Sequence, residues 1–250
     1  MENLNEVLSL FDLQRNKLLE KGEWNEDAVA RCFKPCAEKI LLNGYFLINK
    51  EYIIDLGSIE LYYHEEAGPI KDYIMYHRKE RTKSRIKELN NGELPYFEFG
   101  SLNLHQSGVD VTFENEGKGY RASFLIRSYR VLRKSDDIAN DIISFDPHST
   151  HIFDDMFYGG ILFNGDKKTT IEWMKLDNKK GVYNEIVQIP RQNVAEYTQE
   201  MRKVEIAKDE IIHTEEILRI NGINYRRDMR PWQFKRLDTK PLCTGSAEVL

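Results

Sequence analysis

The run GYFLINKEYIIDLGSIELYYHE, residues 44–65, restricts the fold more than any other stretch. It is dense in Tyr, Ile and Leu, side chains that suit a pleated, half-buried surface. Turn-like breaks at Asn49–Lys50 and Leu56–Gly57 divide it, so two or three strands are predicted. Two more β-rich runs, GSLNLHQSGVDVTFENE and GYRASFLIRSYRVL, follow on either side of the turn NEGKG. A chain with this many strands builds a sheet, and its other segments must cover that sheet.

Helical patterns supply the cover. Leu4, Val7, Leu8, Phe11 and Leu18 recur near 3.6-residue spacing, which predicts a helix over residues 3–21 with Gly22 as its stop. NEDAVARCFKPCAEKILL reads as a second helix, capped by Asn25, with Glu26 and Asp27 at its positive end and Pro35 expected to kink or divide it. A third helix is predicted over IKDYIMYHRKERTKSRIKEL, ending at the breaker cluster NNGELP. A short helix at SDDIANDI precedes strands in YGGILFNGDKKTTIEWMKLD and GVYNEIVQIP, with NGDKK and NKKG as hairpin turns. Residues 193–218 read as a charged helix before a basic tail. The order points to an α+β fold around an antiparallel or mixed sheet. Residues 1–24 form the N-terminal helix and 25–135 the core. Residues 136–250 supply β-hairpins, a long helix and the tail, packed on the core as one domain.

No apolar run nears the roughly 20 residues of a membrane helix, so no membrane partner is expected. The start, MENLNEVLSLFDLQRNKLLEKG, is acidic and amphipathic, unlike a signal peptide. Three cysteines, an odd number, argue against a disulfide framework and for a reducing, cytoplasmic compartment. The net charge of −5 argues mildly against a general nucleic-acid coat. Its distribution is uneven: residues 219–240 carry +5, which leaves −10 for the rest. Such a segment either binds a phosphate backbone or pairs with its own acidic body.

Among chemistry-bearing residues, Cys32 and Cys36 share a helix face and lack the partners of a metal set, Cys243 being the one other cysteine. They read as small buried residues. His148 and His151, near Asp154 and Asp155, could bind a metal, but no HExxH frame supports them and no metal is predicted. GxSxG, GxxxxGK[ST] and GxGxxG are all absent. A wider set is more informative. Glu60 sits beside two tyrosines, His77 follows Asp72 and Tyr76, His105 lies in an apolar strand, and Arg127 interrupts ASFLIRSYRVL. An arginine there is costly unless a carboxylate or ligand pairs with it. A Glu–Arg pair facing a cleft could hold and deprotonate a water; facing the core it would only brace two strands. Strand alternation puts Glu60 and Tyr62 on one face and Tyr63 on the other.

The run AEKILLNGYFLINKEYIIDLGSIELYYHEEAGPIKDYIMYH resembles the opening of the alkyladenine (3-methyladenine) DNA glycosylase family, with a Glu-x-Tyr strand, an acidic stretch and a His. GSLNLHQSGVDVTFENEGKGYRASFLIRSYRVL resembles its second block, and the two together cover roughly residues 28–133. The resemblance implies a curved sheet with flanking helices, and makes 25–135 a glycosylase-like core. It places the water-activating carboxylate on Glu60 and the water-holding arginine on Arg127. It places the base pocket on Tyr62, His77 and His105, the last where the family usually has tyrosine. The implied activity is hydrolysis of the N-glycosidic bond of a flipped nucleotide in double-stranded DNA, with no cofactor.

The chain departs from that pattern where the family inserts a bulky tyrosine into the duplex, because Gln106 and Ser107 stand there. The segment between Tyr62 and His77 is also longer, and residues 134–250 have no counterpart. INYRRDMRPWQFKRL offers a contact strip in Arg226, Arg227, Arg230, Trp232 and Lys235, with Gln106 as a further contact. Its alternative is a segment whose aromatics pack on the core. Two other functions stay open: a non-catalytic module that binds nucleic acid, a nucleotide or a partner, and an assembly protein that uses its helical ends.

Overall fold

The computed structural model describes residues 3–78, 85–134, 143–157, 169–175, 185–237 and 239–241. Helix α1 (Leu4–Glu20) is closed by a capping box between Asn3 and Glu6. In α2 (Glu26–Asn43) the Asn25 side chain accepts from the Ala28 N–H, and the helix continues through Pro35 without dividing. Strands β1 (Gly44–Ile48) and β2 (Tyr52–Glu65) follow, then a one-turn helix α3 (Arg85–Leu89) and the hairpin β3 (Leu102–His105) and β4 (Gly108–Thr112). After β5 (Tyr120–Arg133) come β6 (Ile143–Phe145), α4 (His151–Met156), β7 (Ile171–Lys175), β8 (Ile186–Ile189), β9 (Ile217–Ile220), β10 (Ile223–Arg226), β11 (Gln233–Arg236) and β12 (Thr239–Pro241).

The fold is α+β, and its main sheet is an antiparallel half-barrel of eight strands in the order β3-β4-β5-β2-β1-β7, with β11 on β2 and β8 on β11. The long strand β2 is its axis. One edge pairs with β5 along its whole length; the other pairs first with β1 and then with β11. Residues beyond 135 thus add β7, β8 and β11 to the same sheet as the core. One face is apolar. Ile59, Leu61 and Tyr63 of β2 and Phe124 and Ile126 of β5 pack with Phe11, Val29, Phe33 and Cys36 of the two helices. Full burial of each large apolar side chain contributes about 1.5–3 kcal/mol. The opposite face is polar and also covered: Ser58, Glu60, Asp110, Thr112, Ser123 and Gln233 are all buried.

Two compensating bulges shape that polar face. Leu56 pairs with Tyr129, Ser58 with Ser128 and Ile59 with Ile126, so Gly57 and then Arg127 are each skipped. A skipped residue bends its strand and re-aims its side chain.

One predicted helix, residues 193–218, is not formed, and the one over residues 70–89 is helical only at Arg85–Leu89 among the described residues. Across residues 69–78 the chain runs in turns over the polar face, and α3 is the one helical piece described in that stretch. Ile70, Met75 and His77 bury toward the sheet, and Asp72 spends its side chain on a distant arginine, so a helical ladder would break both. His77 therefore does not lie on a helix. Residues 193–218 form no α-helix: single bridges alternate with turns up to a short 3-10 turn at Thr214–Glu216 and the opening of β9. Their backbone pairs laterally instead, through Glu196 N–H to Arg226 O, Val204 N–H to Glu196 O and Ile206 N–H to Asn224 O. Tertiary pairing overrides the helical composition of a charged segment. SDDIANDI, NGDKK and NKKG lie outside the described residues. Among the described residues no helix is long and apolar enough to cross a membrane.

Candidate active site

Register builds the site. Asp110 of β4 and Glu60 of β2 both pair with Leu125 of β5, and Gln233 of β11 pairs with Glu60, so one row of side chains crosses the polar face. Above Glu60 lies a cavity of about 250 Å³ lined by Tyr62, Tyr76, Arg127, Gln192 and Lys203 among others. The Tyr62 hydroxyl donates to Glu60 Oε1 at 2.5 Å, and the Gln192 N–H donates to Oε2 at 3.2 Å. Arg127 Nε stands 3.6 Å from Oε2, close enough to stabilise the charge but beyond hydrogen-bond length. Asn193, in the left-handed region at φ 56°, turns the chain directly after Gln192; asparagine is one of the few non-glycine residues that adopt this conformation readily.

Glu60 is fully buried. Burial raises its pKa above the ordinary carboxylate value, and Arg127, Arg191, the Tyr62 hydroxyl and the Gln192 amide offset part of that rise. A carboxylate tuned upward while it faces a cavity is a stronger base than a surface glutamate.

Arg191 holds the wall from behind. It has no exposed surface, and it donates to Asp72 Oδ2 at 2.7 Å and to Oδ1 at 3.3 Å. It also donates to Asp228, while Arg230 closes the group by binding Asp228 and approaching Asp72 at 3.5 Å. The guanidinium lies 4.9 Å from the Tyr62 ring and 5.2 Å from Trp232. Burial alone would lower the Arg191 pKa; Asp72 and Asp228 more than reverse that. A neutral quartet of two arginines and two aspartates fixes the ring whose hydroxyl touches Glu60.

The structure brings Glu60, Arg127 and Tyr62 together at the cavity and separates them from the histidines. His77 is buried between Glu114 and Asp110, its Nε2 3.9 Å from Asp110 Oδ2, and it is not part of the cavity wall. His105 lies one layer back. Its Nδ1 accepts from the Ser107 N–H, its Nε2 is 3.1 Å from Asp110 Oδ2, and its ring stacks on Tyr76 at 4.0 Å. Tyr76 thus takes the wall position expected of His105. Gln106 is exposed at the two-residue turn between β3 and β4. Gly108, at φ 133°, ends that turn, and a Cβ there would fall 2.3 Å from the Ser149 carbonyl.

The contact strip is corrected in part. Trp232 is buried at 1% exposure and Phe234 at 0%, so neither ring is available for stacking. Arg226 pairs with Glu210, and Arg230 with Asp228 and Glu26. Arg227 and Lys235 are half-buried.

Cys32 and Cys36 are free and buried, and burial pushes their thiols up to about 11 and about 12. Cys243 lies outside the described residues. His148 and His151 share Asp146, each Nδ1 3.0 Å from one of its oxygens, rather than Asp154 or Asp155. These three exposed or half-buried groups are the described set that could hold a metal ion. Sequence reasoning missed Arg191, Asp228 and Lys203, and used Asp72 and Tyr76 only as landmarks for His77. Nothing local marks Arg191 as buried; the one nearby signal is the turn-forming Asn193. No family model matches this chain, nor does any curated protein or solved structure.

Proposed function

We propose that this chain is a glycosylase-like hydrolase that breaks an N-glycosidic bond. The observation that carries the reading is the placement of Glu60: a buried, pKa-raised carboxylate at a small cavity, with Arg127 3.6 Å away and an aromatic wall beside it. Glu60 takes a proton from a water molecule held with Arg127. The water oxygen bonds to the anomeric carbon while the carbon–nitrogen bond breaks, and its electron pair leaves with the base, which takes up the proton. Tyr62 and Tyr76 flank the leaving base. At about 250 Å³ the cavity is smaller than the roughly 300–1,000 Å³ of drug-sized sites, a size that suits one base rather than a long ligand. The two-block resemblance to the alkyladenine DNA glycosylases, which excise modified bases from DNA, supports the same bond cleavage.

The engagement of both Glu60 oxygens, by Tyr62 and by Gln192, favours a second reading, in which the pocket binds a nucleotide or a partner without cleavage. Chromatographic detection of free base separates the two. Modified DNA, nucleosides and nucleotides are incubated with the wild-type chain and with Glu60→Gln. Wild-type release with a loss of about 10²- to 10⁴-fold in Glu60→Gln is expected. Full activity in the variant would remove Glu60 from the mechanism.

A further inference from the structure

The cavity wall carries one carboxylate, Glu60, and two cations, Arg127 and Lys203. Arg127 has Glu60 as its counter-charge, whereas Lys203 has none among the described residues. Arg127 Nε is buried without a hydrogen-bond acceptor, at ion-pair distance only from Glu60. Lys203 contacts the Tyr225 ring at 5.1 Å and has no carboxylate partner among the described residues. By contrast, Arg191, Arg226, Arg230 and Arg236 are each bound to an aspartate or glutamate. A half-buried ammonium on a cavity wall with no counter-charge of its own is free to bind a ligand anion through charge-assisted hydrogen bonds.

The surroundings give a long polyanion no excess of positive charge. An adjoining cavity of about 540 Å³ shares Ile74, Ala195 and Tyr197 with the first, and its wall mixes charges, Glu26, Asp27, Glu196 and Glu216 standing beside Lys71, Arg226, Arg227 and Arg230. A duplex seated over the site would meet carboxylates as well as cations there. The aromatics that would have stacked on bases, Trp232 and Phe234, are buried.

Resting on the hydrolase reading above, we infer that the substrate is a free nucleoside phosphate, not a duplex, with its single phosphate held by Lys203 at the mouth of the Glu60 pocket. The base enters against Tyr62 and Tyr76, and the phosphate supplies the anion that Lys203 lacks.

Binding is tested on Glu60→Gln, so that no turnover intervenes, by calorimetry with nucleosides, their 5′-monophosphates and a 20-base-pair duplex. The monophosphate is expected to bind at least about tenfold more tightly than its nucleoside. Lys203→Ala should erase that difference while leaving nucleoside affinity in place, and Lys203→Arg should restore it. Equal affinity for nucleoside and monophosphate would overturn the inference. So would tighter duplex binding that falls steeply with salt, the mark of many phosphate contacts. Base release by the wild-type chain is followed in parallel. Release from DNA alone would leave the hydrolase standing and sink the nucleotide; monophosphate binding with no release from any substrate would do the reverse.

Discussion

At the residue scale, Glu60 and Arg127 have separable signatures. Because burial raises the Glu60 pKa, its ionised form weakens the folded state. That group favours folding below the unfolded value near 4.5, and the benefit is lost as pH rises through the folded value. Glu60→Gln should therefore lower base release at least about a hundredfold yet raise the melting temperature at neutral pH. At pH 4 the two melting curves should converge. Scanning calorimetry at both pH values checks this, and a lower melting temperature for the variant at pH 7 would count against a pKa raised by burial. Arg127 acts in the opposite sense on the same carboxylate. Arg127→Leu removes the leading offset to burial, so the acid limb of the pH–rate profile should move to higher pH. An unmoved limb would mean that Glu60 is not the titrating base.

At the element scale, loops hold the site more than strands do. Arg191 ties residues 190–193 to Asp72 in the turn after β2 and to Asp228 before β11. Arg191→Met would leave two buried aspartates sharing the single cation Arg230, and breaking a buried pair in this way costs about 3–5 kcal/mol. Urea denaturation should show that loss, and Tyr62 should lose its fixed position with it; an unchanged midpoint would mean that the quartet is not fastened as described. The end of β2, just before that turn, carries a second titratable group. His64 is pushed down to about 4 by burial, with Lys71 and Arg78 adding to the effect and Glu66 and Asp72 opposing it. Its Nδ1 accepts from the Asp72 N–H, which requires the neutral ring. A depressed histidine contributes stability above its unfolded value of 6.5 that is lost as pH falls from there toward 4. His64→Gln should flatten the stability profile across that window, as equilibrium unfolding at stepped pH would reveal.

At the scale of the whole molecule, the sheet and its apolar face were legible because period-two and 3.6-residue patterns are local. Leu4, Val7, Leu8 and Phe11 announce α1, and Ile59, Leu61 and Tyr63 announce the buried side of β2. Glu60 and Arg127 were legible for a related reason, since each breaks an apolar pattern and so demands a partner. Their meeting depends on a bulge whose skipped residue is Arg127 itself. Other features were hidden because they are non-local. The backbone of residues 193–218 pairs with β10 and its flanks, which no helical pattern encodes, and Arg191 reaches Asp72 across 119 positions of sequence. His77 was misplaced for the same cause: its partner Glu114 lies on the far side of the β3–β4 hairpin and draws it away from the cavity. What emerges is a half-barrel with one oily face and one covered polar face, and a polar face that is buried yet opens into a cavity at one carboxylate is a place for chemistry.

The most direct test of that chemistry is chromatographic measurement of free base released by the purified full chain from nucleoside monophosphates and from modified DNA, beside Glu60→Gln. Wild-type release that falls at least about a hundredfold in a folded Glu60→Gln is the expected result. Release by Glu60→Gln at the wild-type rate, or no release from any substrate by a wild-type chain that binds them, would contradict it.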